Sequence, residues 1–312
     1  MGLFTRGLGK PGKGIDANAP EKRSFFRFFD IFFRKFWHFV RLNILYVVMC
    51  IPTFIIIFVL SSLISNSFFD ASGVIDTLNS VGENMAAASE SGTTAEMYTS
   101  RLVVFFDILI RFGFSFLFMA FWGMGPVSAG LAYVLRNWAR EEHAWVWTDF
   151  KDAAKSNFKQ AAVVFIVDVI VYIVFFSAYT FYSKAGGALA YVNYLLLIIL
   201  LIYTMMHMYI YQLMVTFKLS LKDLYKNALI FAVGKAPSNL LYLFLMAVVN
   251  IGPIYLAIFL SGSFSLIVFV VVLLLEMLIL QTLSAFIAAF GVNKKIQKYM
   301  LTQYDVTVKR DK

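Results

Sequence analysis

The sequence predicts an all-α, polytopic membrane helix bundle of about six transmembrane helices, with amphipathic interfacial helices on its cytoplasmic side. Three observations predict it. The chain of 312 residues is 61% hydrophobic and only 14% charged, with a mean hydropathy of +0.77, whereas a soluble domain carries roughly a quarter charged residues. Six apolar runs are long enough to cross a bilayer, which takes about 20 residues. The 27 basic residues are sorted about those runs, with 24 on one side. That sorting is the mark of membrane topology.

Residues 1–42 read as a cytoplasmic basic arm leading into an amphipathic helix. Phe25, Phe28, Phe29, Phe32, Phe33, Phe36, Phe39 and Val40 recur at helical spacing, and Arg27, Asp30, Arg34, His38 and Arg41 form the opposite stripe. One apolar and one charged face suit a helix lying in an anionic interface. The segment has no cleavable apolar core with a small-residue site, so the first span is expected to remain as a signal anchor.

The membrane domain is assigned to 43–290. Span one is Asn43–Ile64. The loop 65–101 contains five acids (Asp70, Asp76, Glu83, Glu90, Glu96) and no base before Arg101. Its Ser, Ala, Gly and Thr content reads as a weakly ordered extracytoplasmic insertion, with an acidic lid over a pore as the alternative. Span two lies within Leu102–Leu135. Asp107 and Arg111 stand four apart there and can pair on one helix face, while Phe112–Leu135 carries no charge. A single long helix bent at Gly123-Met124-Gly125-Pro126 reconciles the two halves. Arg111 then lies near the outer interface and can snorkel.

A cytoplasmic loop follows at 136–160, then span three at Ala161–Tyr182 and span four at Tyr191–Phe217. A second cytoplasmic loop covers 218–238. Span five is Leu240–Leu260, where Gly252-Pro253 can bend its outer end, and span six is Phe264–Phe290. Residues 291–312 form a basic tail.

The basic residues divide over this plan as nine before span one, five after span two, four after span four and six in the tail. The opposite side keeps Arg101 and Lys184, and Arg111 sits within or at the edge of span two. The positive-inside rule therefore puts both termini in the cytoplasm. A net charge of +9 does not indicate nucleic acid when the charge lies beside membrane spans. The single cysteine, Cys50, sits in an apolar run and reads as a small buried hydrophobe.

Each odd-numbered span follows an amphipathic stretch. Trp147, Phe150, Ala154, Phe158 and Ala161 form one such face, and Leu221, Leu224, Tyr225, Ala228, Leu229 and Ala232 another. Asp30, Asp149 and Asp223 occupy comparable places. The pattern reads either as three repeats of interfacial helix plus hairpin or as ordinary juxtamembrane helices. Four of the five tryptophans, Trp37, Trp138, Trp145 and Trp147, fall in these segments. Interfacial anchoring accounts for them, and a protein-docking surface is the sharper alternative.

Catalytic patterns are sparse. His38, His143 and His207 lack metal-ligand spacing. Gly7-Leu8-Gly9-Lys10-Pro11-Gly12 matches a dinucleotide fingerprint by letters only, with no strand before it. The expectation is a non-enzymatic protein with no catalytic residue, cofactor or metal. The intramembrane charges Asp107, Arg111, Asp168 and Glu276 are costly in lipid and should face the bundle interior in pairs. Internal glue, for example Arg111 reaching Glu276 or Asp168, is the structural reading. A proton or ion relay is the functional one. Asn250 and Gln281 can join such a network.

Residues Gly125 to Gln160 read GPVSAGLAYVLRNWAREEHAWVWTDFKDAAKSNFKQ. This segment resembles the YesL-like family of bacterial membrane proteins, a domain of unknown function, through Gly125, Pro126, Ala129, Tyr133, Leu135, Arg136, Glu141, Glu142, Asp149, Phe150, Asn157, Phe158, Lys159 and Gln160. Lys35-Phe36-Trp37, Leu42-Asn43, Ile51-Pro52-Thr53 and Lys226-Asn227-Ala228-Leu229 extend the resemblance. Phe54 to Met124 is extra length relative to many relatives. The resemblance implies a bacterial plasma membrane and an accessory role in ABC-type carbohydrate uptake, with sugar-transporter permease subunits as partners beside the lipid bilayer. On that expectation Trp147, Asp149, Phe150, Asn157 and Phe158 are the docking candidates, and Gly125 and Pro126 fix the helix before them. A secondary transporter or channel with a midplane polar site is the alternative.

Overall fold

The computed structural model describes residues 23–65, 74–87, 94–185, 187–261 and 266–301. The arm before Arg23 with its glycine-rich match, the tail after Leu301 and parts of the 65–101 loop lie outside them. The described residues contain no strand. Six of their helices are long and apolar enough to cross a membrane: Phe36–Ser65, Ala95–Phe121, Phe158–Ala185, Gly187–Met214, Ala236–Pro253 and Val270–Leu301. The chain is an all-α membrane helix bundle.

In chain order the helices are α1 (Ser24–Arg34), α2 (Phe36–Leu60), α3 (Val74–Ala87), α4 (Ala95–Phe121), α5 (Pro126–Ala139), α6 (Thr148–Ser156), α7 (Phe158–Ala185), α8 (Val192–Met214), α9 (Leu221–Gly234), α10 (Ala236–Ser261), α11 (Leu266–Leu275) and α12 (Gln281–Ile296). A 3₁₀ turn, Gly187–Tyr191, joins α7 to α8, and a π turn, Glu276–Leu280, joins α11 to α12. A second π turn, Gln297–Leu301, follows α12.

The core is three helices deep. Nearly all of Ser128–Ala139 in α5, all of Met205–Met214 in α8 and most of Gln281–Asn293 in α12 are buried. Around them, α2, α7 and α10 expose large apolar side chains such as Ile55, Ile166 and Phe244. A soluble monomer does not present so continuous an apolar coat. A bilayer solvates it without cost, because lipid tails are as apolar as the side chains.

The amphipathic helices recur in a form the sequence shows only loosely. α1, α6 and α9 each run into the following long helix through a single residue: Lys35, Asn157 and Lys235. All three take the same bridge conformation, with φ/ψ of −108°/15°, −103°/9° and −127°/28°. Each closes the shorter helix with its own amide (to Ile31, Ala153 and Phe231 carbonyls) and opens the longer one with its carbonyl. The acids Asp30, Asp149 and Asp223 are not the common element. They stand at different distances from these kinks and do different jobs. Asp30 pairs with Arg34 at 3.9 Å. Asp149 accepts from the Trp145 amide at 2.8 Å, and Asp223 holds the N-capping Ser220 hydroxyl at 2.6 Å.

Two expectations need correction. The insertion before span two is not unstructured throughout: α3 is helical, and α4 begins at Ala95, with the Thr94 side chain accepting from the Met97 amide. Gly82 lets α3 lie against Thr99, where a Cβ would collide with the Thr99 hydroxyl. The crossing at span two is broken rather than bent. Gly123 and Gly125 have φ of +82° and +67°, a region closed to ordinary side chains, so the ladder stops at Phe121 and restarts at Pro126. Further on, α10 runs through Pro253 as one helix.

Candidate functional site

The break between α4 and α5 builds the polar centre of the molecule. Pro126, at the first turn of α5, has no amide to satisfy. The amides freed by the break find side chains: Met124 donates to Ser128 Oγ at 2.6 Å and Gly125 to the Tyr211 hydroxyl at 3.2 Å. Ser128 also bonds the Tyr46 hydroxyl from α2 at 2.9 Å. A Cβ on Gly123 would stand 2.7 Å from Ser128 Oγ and 2.8 Å from the Tyr211 ring. The glycine therefore serves both the positive φ and the close approach.

Beside the break, Asp168 of α7 is fully buried. Tyr203 of α8 donates to its Oδ1 at 2.6 Å. His207 Nε2 lies 2.8 Å from the same oxygen, within ion-pair distance but off the line of a well-aligned hydrogen bond. Trp122 closes the group. Its ring stacks on His207 at 6.1 Å and meets Tyr203 edge-on at 5.4 Å. Its Nε1 donates to Thr204 at 3.0 Å. Tyr225 of α9 lies against this group, and burial followed by the Asp168 charge raises its pKa. Such a cluster can hold or pass a proton, because Tyr203 and His207 meet at a single carboxylate oxygen.

The four intramembrane charges do not form one network. Arg111 reaches neither Asp168 nor Glu276; it pairs with Asp107 at 2.9 Å, one turn away on α4. Glu276 is 5% exposed and takes the Gln281 amide at 2.7 Å. Asn250 bonds Ser284 at 3.0 Å instead of joining either group. Asn43 carries a role the sequence did not suggest. A π turn shifts the helix register and strands one carbonyl and one amide. Asn43 donates to the Glu276 carbonyl at 2.8 Å and accepts from the Thr282 amide at 2.7 Å.

The docking candidates divide. Trp147 and Phe158 are exposed, at 56% and 58%. Phe150 is buried in the core, seated over Gly130, where a Cβ would come within 2.6 Å of the Phe150 carbonyl. It cannot be a contact surface. Asp149 and Asn157 are local caps: Asn157 Nδ2 returns to the Ala153 carbonyl at 2.9 Å. Of the tryptophans, Trp138 is not an interfacial anchor. It is fully buried against Phe39, with their centroids 4.9 Å apart. Trp37 and Trp145 remain exposed beside Trp147.

Signature residues serve the joints between helices. Arg136 caps the end of α8, donating to the Val215 carbonyl and the Thr216 hydroxyl. This suits a cation at a helix C-terminus. Asn293 of α12 accepts from Arg140 and donates to the Arg136 carbonyl, both at 3.1 Å. Glu141, at φ 63° after α5, pairs with Arg27 and Arg34 of α1 at 3.3 and 3.4 Å. His207 and Tyr203 escaped sequence reasoning, although their i, i+4 spacing in an apolar span was a usable signal.

A family model described as a protein of unknown function, DUF624, matches residues 105–179. The matched stretch contains the Asp107–Arg111 pair, the helix break, all of α5 and α6, and Asp168. No curated protein matches the chain, and no solved structure does.

Proposed function

We propose that the protein is a non-enzymatic accessory factor of a plasma-membrane transporter, its basic end facing the cytoplasm and its partner an ABC-type sugar permease. One observation carries the reading. The polar centre is too small for a sugar, while the exposed special residues gather at the basic end. The cavity beside His207 measures about 60 Å³, whereas small-molecule sites span roughly 300–1,000 Å³. The larger cleft of about 530 Å³ is walled by residues such as Phe114, Phe118, Leu200 and Phe244 and offers a sugar little to bind. At the basic end, Trp37, Trp145, Trp147 and Phe158 stand exposed. A recess of about 1,070 Å³ there is lined by Lys218, Lys235 and Asn227. Aromatic and basic side chains of this kind anchor protein interfaces. The sugar connection rests on the resemblance of Gly125–Gln160 to the YesL-like family.

The test is affinity purification of tagged protein from sugar-grown cells that express a transporter. Co-recovery of a permease subunit is expected, and its loss in the double variant Trp147→Ala, Phe158→Ala. Recovery of no transporter subunit would sink the proposal.

A second reading, a secondary transporter, is favoured by one feature. A broken helix beside a buried Asp–His pair is how membrane carriers build ion sites. On that reading Asp168→Asn abolishes a measurable flux in folded protein, and an unchanged flux rejects it.

A further inference from the structure

The break between α4 and α5 leaves more acceptors than donors around the 60 Å³ cavity. In an unbroken helix the carbonyls of Met119, Ala120 and Phe121 would accept from the amides of Gly123, Met124 and Gly125. Here Gly123 turns back to the Phe118 carbonyl, Met124 goes to Ser128 and Gly125 to Tyr211. Three carbonyls at the negative end of α4 thus lose their amide partners, and all three residues line the cavity.

Three side chains add to this excess. Gln212 Oε1, Gln281 Oε1 and His207 Nδ1 are buried without a hydrogen-bond partner. Their residues also line the cavity and are 5%, 1% and 4% exposed. The glutamine orientations follow from their nitrogens. Gln281 Nε2 reaches Glu276 Oε2 at 2.7 Å and the Phe116 carbonyl at 3.2 Å. Gln212 Nε2 points to the Ala132 carbonyl at 3.5 Å. Each oxygen is therefore the free end. Against these six acceptors the wall offers the hydroxyl protons of Tyr46, Ser128 and Tyr211, one of them spent in the Tyr46–Ser128 bond.

An acceptor-rich cage at the carbonyl end of a helix calls for positive charge. The charge it calls for is single. No carboxylate lines the cavity, and divalent ions demand carboxylate oxygens. Among the described residues no group of three or more His, Cys, Asp or Glu could hold a metal ion. Glu276 stands one hydrogen bond behind Gln281 and outside the wall of the cavity. The volume admits only a few water-sized particles.

We propose that this cavity binds one small monovalent cation of the sodium or potassium class, with part of its hydration water, held by the carbonyl end of α4 and the amide oxygens of Gln212 and Gln281. The site goes beyond the partner-docking reading and does not depend on it.

Trp122 lines the cavity and stacks on His207, which makes it a reporter. Full-length protein in lipid nanodiscs, held in N-methylglucamine chloride, is titrated with NaCl or KCl at constant ionic strength. Tryptophan fluorescence and thermal unfolding are followed. A saturable fluorescence change and a rising Tm are expected with at least one of the two cations. Gln281→Leu should raise the half-saturating concentration by about tenfold, and Gln212→Glu, which adds a carboxylate, should lower it. Flat fluorescence and one Tm in every salt overturn the proposal and leave a cavity that holds water only. A cation response that Gln212→Glu does not shift overturns it equally, even if Gln281→Leu fails to fold.

Discussion

Asp168 and Arg111 show how differently two intramembrane charges can be held. Asp168 is sealed, with Tyr203 and His207 on one oxygen. Removing it strands both partners in a buried site. Asp168→Ala should cost about 2–4 kcal/mol, read as a lowered unfolding midpoint in detergent. Arg111 and Asp107 are a partly exposed i, i+4 pair, and Arg111→Ala should cost no more than about 0.5 kcal/mol. A comparable loss in both variants would contradict this assignment. That Asp168 is buried and paired was legible from an acid in an apolar span. Its partner was not, because Arg111 is the conspicuous base in the sequence. Pairing with His207 depends on the register of α7 against α8, which the 3₁₀ turn Gly187–Tyr191 sets.

Among the elements, two irregularities, the broken crossing and the π turn at Glu276–Leu280, differ in legibility. Gly123-Met124-Gly125-Pro126 announces an interruption in any apolar span. What it does not announce is a full stop, since that follows from two positive φ values and from Ser128 and Tyr211 taking the freed amides. The π turn at Glu276–Leu280 has no local mark in the sequence. Its stranded backbone groups are met by Asn43, 233 and 239 positions away. Asn43→Leu should therefore destabilise by about 2–4 kcal/mol, two buried backbone groups being left unpaired. Asn43→Asp should be milder, because it keeps the acceptor for Thr282. Equal stability of the leucine variant and the unaltered chain would refute the stitch. Phe150, Asp149 and Asn157 teach the same lesson. A motif shows that its residues matter and not whether they face a partner, and here Gly130, the Trp145 amide and the Ala153 carbonyl claim them from within the chain.

Over the whole molecule, the spans, the basic bias and the amphipathic helices were readable, since each is set by the solvent a segment meets. The common kink at Lys35, Asn157 and Lys235 was hidden, because three dissimilar residues adopt one backbone geometry. The single cysteine is buried, which makes topology straightforward to measure. A cysteine placed at Trp145 should react with an impermeant maleimide only after cells are opened, and one placed at Ser100 should react in intact cells. The opposite result would reverse the orientation. The central claim is that the exposed aromatic and basic face receives a transporter subunit. A photo-crosslinking amino acid at Trp147, with the lipid-facing Tyr194 as control, measures it most directly. Crosslinks to a permease from position 147 and none from 194, in cells importing sugar, are the predicted result. Crosslinks to lipid alone at both positions would contradict it.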